Sequence, residues 1–206
     1  MTLGRSVRGR SIDVVHVRTP GARRAVLVVG CVHGNEPAGI GIARSLERAR
    51  GHGLDLWVIE DLNPDGVAAD TRQNADRVDL NRNFPERWRP LGAPGDQQYS
   101  GPRALSEPES RIAYRLIKRV RPAISIWFHQ PLDVVDESGG DAGVERRFAA
   151  LAGLPLGRLT RYPGSAVGWQ DSRLPGTTAF VVELPPGGLP PAGARRYARA
   201  VVSLAR

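Results

Sequence analysis

Four residues of the 206-residue chain have side chains suited to metal-dependent hydrolysis: His33, Glu36, His129 and Glu183. His33 and Glu36 lie in CVHGNEPAG, where a three-residue spacing lets an imidazole and a carboxylate meet one cation across a turn. The pair is unspecific by itself. With four His and nine Glu in the chain, a chance His-x-x-Glu arises in roughly one such sequence in six. Taken alone, His33 also reads as a hydrogen-bonded turn histidine, and Glu36 as a first-turn acid favoured by the helix dipole. His129, ending AISIWFH, supplies a second imidazole and completes a His₂Glu set. Such a set can hold catalytic zinc with a position left open for water or substrate. Glu183 follows AFVV, and a carboxylate at the end of a buried strand needs a partner or a task. A carboxylate beside a zinc-activated water has one, since it can take the proton during attack on a carbonyl.

A further cluster, TRQNADRVDLNRNFP, spans Thr71–Pro85. Asn81 and Arg82 could clamp a substrate carboxylate, because a guanidinium grips one with two parallel hydrogen bonds. Arg72 could face a developing oxyanion. By composition alone the stretch also reads as a solvated loop.

The elements that must position these groups follow from the hydrophobic pattern. Short β-branched runs predict strands at Ile12–Val17, Ala25–Gly30, Leu54–Glu60, Ala123–Phe128 and Thr178–Glu183. Helical spacing predicts helices from Pro37 to about Arg50, over Glu107–Val120 with Ser106 as its cap, around Val144–Ala152, and over Ala192–Leu204. Strands alternating with helices imply an α/β fold, a single three-layer α/β/α domain over residues 1–206 with a mixed, largely parallel sheet. Asp61–Leu105 and Pro131–Gly176 read as long loops, the second with only the one short helix, and loops of that length in compact domains are commonly functional. Ligands of open α/β sheets bind beyond the carboxyl ends of the strands. His33, Asn63, His129 and Glu183 all fall at or just after such ends.

Composition narrows the field. A single cysteine, Cys31, excludes an internal disulfide and a Cys-based structural zinc site. The net charge of +8 is almost all arginine, Lys118 being the one lysine, and the arginines are scattered without interleaved aromatics. This argues against nucleic acid as the partner. No stretch approaches the roughly 20 apolar residues of a membrane span. The opening residues lack the apolar core of a secretory signal, so a cytoplasmic protein is expected. Nothing in the pattern bears on oligomeric state.

In order along the chain stand HGNE, then NPDG at Asn63–Gly66, VDLNRNFP at Val78–Pro85, IWFHQP at Ile126–Pro131 and VVELP at Val181–Pro185. This series resembles the M14 zinc carboxypeptidases, whose usual start the opening GRSVRGRSI also resembles. The spacing R-x-N-x-x-x-V-D-L-N-R-N-F-P is similar to that of the compact bacterial branch that includes murein peptide amidases, although Arg77 stands where that branch often has glycine. The resemblance implies Zn²⁺ held by His33, Glu36 and His129, with Glu183 as general base that later protonates the leaving amine. It implies Arg72 as the group polarising the scissile carbonyl, and Asn81 and Arg82 as ligands of the substrate's terminal carboxylate. Tyr162 lies in the region of a substrate-contacting tyrosine. Gly168 and Trp169 fall where a side-chain pocket is expected, and Asp171 could meet a substrate amine there, although a surface aspartate is the favoured reading. The implied activity is that of a metallocarboxypeptidase or peptide amidase acting on a small peptide with a free carboxylate, such as a cell-wall peptide. An N-acyl amino-acid deacylase of the aspartoacylase and succinylglutamate desuccinylase type also carries HGNE. A non-catalytic metal- or peptide-binding module is the alternative of another class.

Overall fold

Runs such as Val26–Val29 and Ile124–His129 have no polar face and are stable only between two covering layers. The computed structural model of the protein, which describes residues 1–206, places them in that setting. The chain opens with an antiparallel hairpin, β1 (Thr2–Arg5) and β2 (Ser11–Asp13). It then builds a seven-stranded sheet from β3 (Val15–Arg18), β4 (Val26–Val29), β5 (Asp55–Ile59), β6 (Ile124–His129), β7 (Val134–Asp136), β8 (Leu156–Gly157) and β9 (Thr178–Glu183). The strand order is β3-β5-β4-β6-β9-β7-β8. Pairings are parallel except where β3 meets β5 and β7 meets β9.

Six helices complete the layers: α1 (Ala38–Glu47), α2 (Pro64–Ala69), α3 (Pro108–Val120), α4 (Ala142–Ala152), α5 (Ala166–Arg173) and α6 (Pro191–Ala205). Ile42, Phe148 and Tyr197 of α1, α4 and α6 bury against Val26, Ile126, Phe128 and Val182 on one face of the sheet. Ile112, Leu116 and Trp169 of α3 and α5 bury against Leu27, Val29, Trp127 and Val181 on the other. Successive strand residues point to opposite faces, so the central strands feed both cores. The three-layer α/β/α arrangement with a mixed, largely parallel sheet is therefore as expected.

Three local expectations change. Ile12–Val17 divides at Val14, because β2 pairs with β1 in the hairpin while β3 pairs with β5 in the main sheet. Pro131–Gly176 holds β7, β8 and α5 besides α4. Strands of two or three residues are too short for alternation to show, and α5 begins with small residues. Ser106 does not cap α3. Glu107 takes the cap position without a side-chain cap bond, and the Ser106 hydroxyl bonds to the Glu107 carboxylate instead.

Candidate active site

β6 and β9 lie side by side and parallel, with His129 directly opposite Glu183 in the register. The Leu184 amide donates to the His129 carbonyl at 2.7 Å and carries the ladder one step further. Trp127 and Val181, two residues earlier, pack on the α3/α5 side, and the period of two puts His129 and Glu183 on that side as well. β4, the other neighbour of β6, runs through Gly30–Val32 to His33, and Glu36 follows just before α1. Three consecutive sheet positions thus deliver the two imidazoles and the two carboxylates to one place.

The donor atoms converge. His33 Nδ1 and His129 Nδ1 each lie 3.0 Å from Glu36 Oε2, and 3.1 Å from one another. One shared proton can satisfy a single edge of that triangle, whereas a cation at its apex satisfies all three. His33 Nε2 is 3.1 Å from Asp79 Oδ1. A proton on Nε2 held by that carboxylate leaves the Nδ1 lone pair free, the arrangement by which second-shell acids orient metal-binding histidines. A group of two imidazoles and one carboxylate, all buried, is the donor set of a catalytic zinc centre. The residues present fit that ion.

The surrounding charges support this. Burial alone would raise Glu36, but His33 and His129 hold its carboxyl well below the usual carboxylate range. Burial likewise opposes ionisation of fully buried Asp79, and His33 and then Arg72 outweigh it. Arg72 donates through Nη1 to Glu36 Oε1 at 2.8 Å and through Nε to Asp79 Oδ2 at 3.0 Å, with Nη2 also 3.0 Å from that oxygen. Of its five N–H groups two remain unassigned, and the residue lines the cleft. Gln130 ties the parts together. Its backbone N–H donates to Glu36 Oε2 at 3.2 Å, its Oε1 accepts from the Ala38 amide, and its Nε2 donates to the carbonyls of Pro185 and Gly187.

The sequence motifs acquire physical reasons. A Cβ on Gly34 would stand 1.9 Å from the Gly66 carbonyl carbon, so two loops meet backbone to backbone. Asn63 caps α2 by accepting from the Gly66 amide at 3.0 Å, and its Nδ2 donates to the carbonyls of Val32 and Arg72. HGNE and NPDG therefore form one unit that holds the Arg72 backbone against the His33 turn. Arg77 adopts a positive φ of 61°, the left-handed conformation that favours glycine.

Asn81 and Arg82 sit in a 3₁₀ turn, Leu80–Arg82, capped by Asp79. Asn81 Oδ1 accepts from the Ala166 amide at the start of α5 at 3.0 Å, which leaves its Nδ2 facing the cleft. Arg82 is 7% exposed, donates through Nη1 to its neighbour's carbonyl, and has no carboxylate partner within ion-pair distance. Its Nε is buried without an acceptor. Burial lowers its proton affinity against the opposing pull of Asp79. The Tyr162 ring covers it, with the guanidinium carbon 4.2 Å from the ring centroid.

These groups line a cleft of about 360 Å³ that also takes in Glu183, Asp136, Ser138, Arg161, Val167, Gly168 and Val181. Glu183 Oε2 is buried without a partner, and burial raises its carboxyl above the usual value, with His129 pulling the other way. Trp169 and Asp171 are not in the cleft. Trp169 packs in the core beside Phe84 and Tyr114. Asp171 accepts from the Ala179 amide at 2.7 Å, lies 3.2 Å from the Ser138 hydroxyl, and is pushed up to about 7 by burial. Asp79, Gln130, Asp136 and Arg161 were not foreseen as site residues. Asp79 had a signal, standing two residues before Asn81 in DLNR. Asp136 and Arg161 had none, since their place depends on the short strands and turns beyond β6.

The profile of the zinc carboxypeptidase family matches residues 1–135. Murein peptide amidase A of Vibrio campbellii is 32% identical over 198 residues, covering 89% of this chain and 78% of that protein. The Escherichia coli K12 protein of the same name is 31% identical over 185 residues, covering 81% and 74%. The crystal structure of murein-tripeptide amidase MpaA from Escherichia coli O157 superposes with a TM-score of 0.79 at 27% identity, over 100% of this chain and 91% of that one. Carboxypeptidase A from Helicoverpa armigera shares the fold, with a TM-score of 0.82 at 16% identity over 100% and 68%.

Proposed function

This chain belongs to the zinc carboxypeptidase family, M14, and on that premise we propose that it hydrolyses the amide bond beside a free carboxylate in a small cell-wall peptide. The observation that carries this reading is Arg82, a buried guanidinium facing the cleft without a carboxylate of its own. A buried charge is stable only when paired, and a substrate carboxylate provides the pair.

Zinc is the family's cofactor, and His33, Glu36 and His129 would hold it. Held by these residues, zinc would supply Lewis-acid polarisation of a carbonyl and would lower the pKa of water to near neutral. Arg82 and the Asn81 Nδ2 hold the terminal carboxylate and fix how far the peptide enters. Tyr162 closes over Arg82 and keeps water from the clamp. Arg72 directs its two remaining N–H groups at the carbonyl oxygen as negative charge develops there. Glu183 takes the proton of the attacking water and returns it to the leaving amine, a task suited to a carboxylate whose proton affinity burial has raised. Residues 1–206 act as one catalytic unit.

Murein peptides are the favoured substrates because two relatives more than 30% identical are murein peptide amidases. A cytoplasmic setting is part of the same proposal. The test compares turnover of γ-glutamyl-diaminopimelate peptides, ordinary C-terminal dipeptides, and N-acyl aspartate or glutamate by the zinc-loaded protein. Hydrolysis of the first set is expected. Hydrolysis of the acyl amino acids alone would make it a deacylase, and stoichiometric zinc with no turnover would make it a binding module.

A further inference from the structure

β9 lies between β6, which runs parallel to it, and β7, which runs antiparallel. The connection from β6 to β7 is only Gln130–Asp133, so it arches across the carboxyl end of β9. Glu183 stands under that arch, with His129 opposite it on one side and Val134 on the other. The chain then leaves the sheet through Leu184, Pro185 and Pro186. The Leu184 amide donates to the His129 carbonyl, and there the backbone donors stop. Pro131 has no N–H to offer from the arch, and neither have Pro185 and Pro186 from the exit.

A side chain takes over. Gln130 Nε2 donates to the Pro185 carbonyl at 3.0 Å and to the Gly187 carbonyl at 2.8 Å, so both of its hydrogens are used. These are the only hydrogen bonds that reach Pro185–Leu189. On the other side, Gln130 Oε1 accepts from the Ala38 amide at 3.0 Å. That amide belongs to the first turn of α1, whose cap position is Pro37 with no side-chain cap bond, so Gln130 serves an N–H the helix leaves open. The three contacts agree on the orientation of the side-chain amide. Turned over, it would set its oxygen against two carbonyls and its NH₂ against an N–H. The Gln130 backbone N–H meanwhile donates to Glu36 Oε2 at 3.2 Å. One residue thus joins the turn that carries Glu36, the strand end that carries His129 and the exit that follows Glu183.

We propose that Gln130 is a positioning residue for Glu183, its side-chain amide tying the exit of β9 to the start of α1 and so fixing how the Glu183 carboxylate faces the metal set. The inference rests on the hydrolase reading above and adds to it a residue that acts through Glu183 rather than on the substrate. The ladder sets the spacing of Glu183 from His129, whereas this tie sets its orientation towards Glu36. Glu183 Oε2 has no partner of its own, so its aim depends on the backbone that carries it.

Two variants test this. Gln130→Met removes all three side-chain bonds and keeps the backbone N–H to Glu36. Gln130→Glu also keeps an acceptor for the Ala38 amide and loses only the two donors. In the zinc-loaded protein both are expected to lower kcat on γ-glutamyl-diaminopimelate peptides by about 10–100-fold, the cost of a catalytic group displaced by about 1 Å, with KM within about twofold. The zinc Kd should stay within about threefold of wild type, well short of the loss that follows removal of an outer-shell partner. In the metal-free protein, nitrogen relaxation should show the amide order parameters of Gly187 and Gly188 falling from about 0.85 towards 0.6 or below. A merely structural glutamine would lower the unfolding midpoint and leave the kcat of the folded protein alone. A kcat near wild type in Gln130→Glu, a loss confined to KM, a zinc Kd weakened more than about tenfold, or unchanged order parameters each overturn the assignment. Should Gln130→Met not fold, Gln130→Glu carries the same test. If the wild type turns over no peptide, the hydrolase reading fails, and the order parameters still decide whether Gln130 holds the segment that follows Glu183.

Discussion

Asp79→Asn is the sharpest probe of how the metal set is held. The carboxylate takes four contacts: His33 Nε2 at 3.1 Å and the Asn81 amide at 2.9 Å on Oδ1, and the Nε and Nη2 of Arg72 at 3.0 Å on Oδ2. An asparagine cannot reproduce both sides. If its oxygen faces His33, its NH₂ points at the Arg72 guanidinium, donor against donor, and the ion pair is gone. If the amide turns over, the NH₂ faces His33 Nε2, which favours the proton on Nδ1 and blocks the lone pair needed for metal. Loss of such an outer-shell partner weakens metal binding by about 10–100-fold, or about 1.4–2.7 kcal/mol. Competition with a chromophoric chelator at pH 7.5 measures the zinc Kd directly, and chemical denaturation of the metal-free forms separates that effect from a loss of fold. A zinc Kd within twofold of wild type would falsify the claim that Asp79 sets the His33 tautomer.

Glu183→Gln should retain stoichiometric zinc and lose about 10²–10⁴-fold in kcat, read by metal analysis and steady-state kinetics together. Burial raises the Glu183 carboxyl in the metal-free protein, and a dication nearby favours the anion. Its titration, followed by carbon NMR, should therefore begin above the ordinary value and move down on zinc loading, and an upward move would contradict the placement. Gly34→Ala should destabilise the fold by about 1–3 kcal/mol or more in denaturant unfolding, because its methyl would sit 1.9 Å from a Gly66 backbone atom. Asp171 is pushed up to about 7 from 3.8. Its neutral form is the one the fold favours, so its contribution is complete below pH 3.8 and declines as pH rises through 7. Between those values wild type should lose stability relative to Asp171→Asn by about 1.4 kcal/mol per pH unit, and parallel stability–pH profiles would refute this.

What could be read from the sequence was what depends on local pattern. Four of the five predicted runs appear as single strands, Val26–Val29 and Ile124–His129 being buried along their whole length between two cores, and the fold class follows from their alternation with helices. His33, Glu36, His129 and Glu183 were accessible because each ends or follows such a run. Register is a different matter. That His129 stands opposite Glu183, or Asp136 beyond Val182, depends on which strands become neighbours, which no single segment specifies. β7 and β8 have three and two residues and are held by pairing, β7 with β9 and β8 with β7, rather than by their own composition. Asp171, read from sequence chiefly as a surface aspartate, shows the same limit: the turn of α5 directs it to the Ala179 amide.

The pairing of His129 with Glu183 on neighbouring central strands has a consequence for how the protein fails. The separation of metal ligand and base is set by a hydrogen-bonded ladder in the most buried part of the sheet, not by a loop. Amides from Trp127 to Leu184 on those strands should exchange with deuterium only when the whole molecule opens. Heating should accordingly leave the spacing of His129 and Glu183 intact until the sheet itself unfolds.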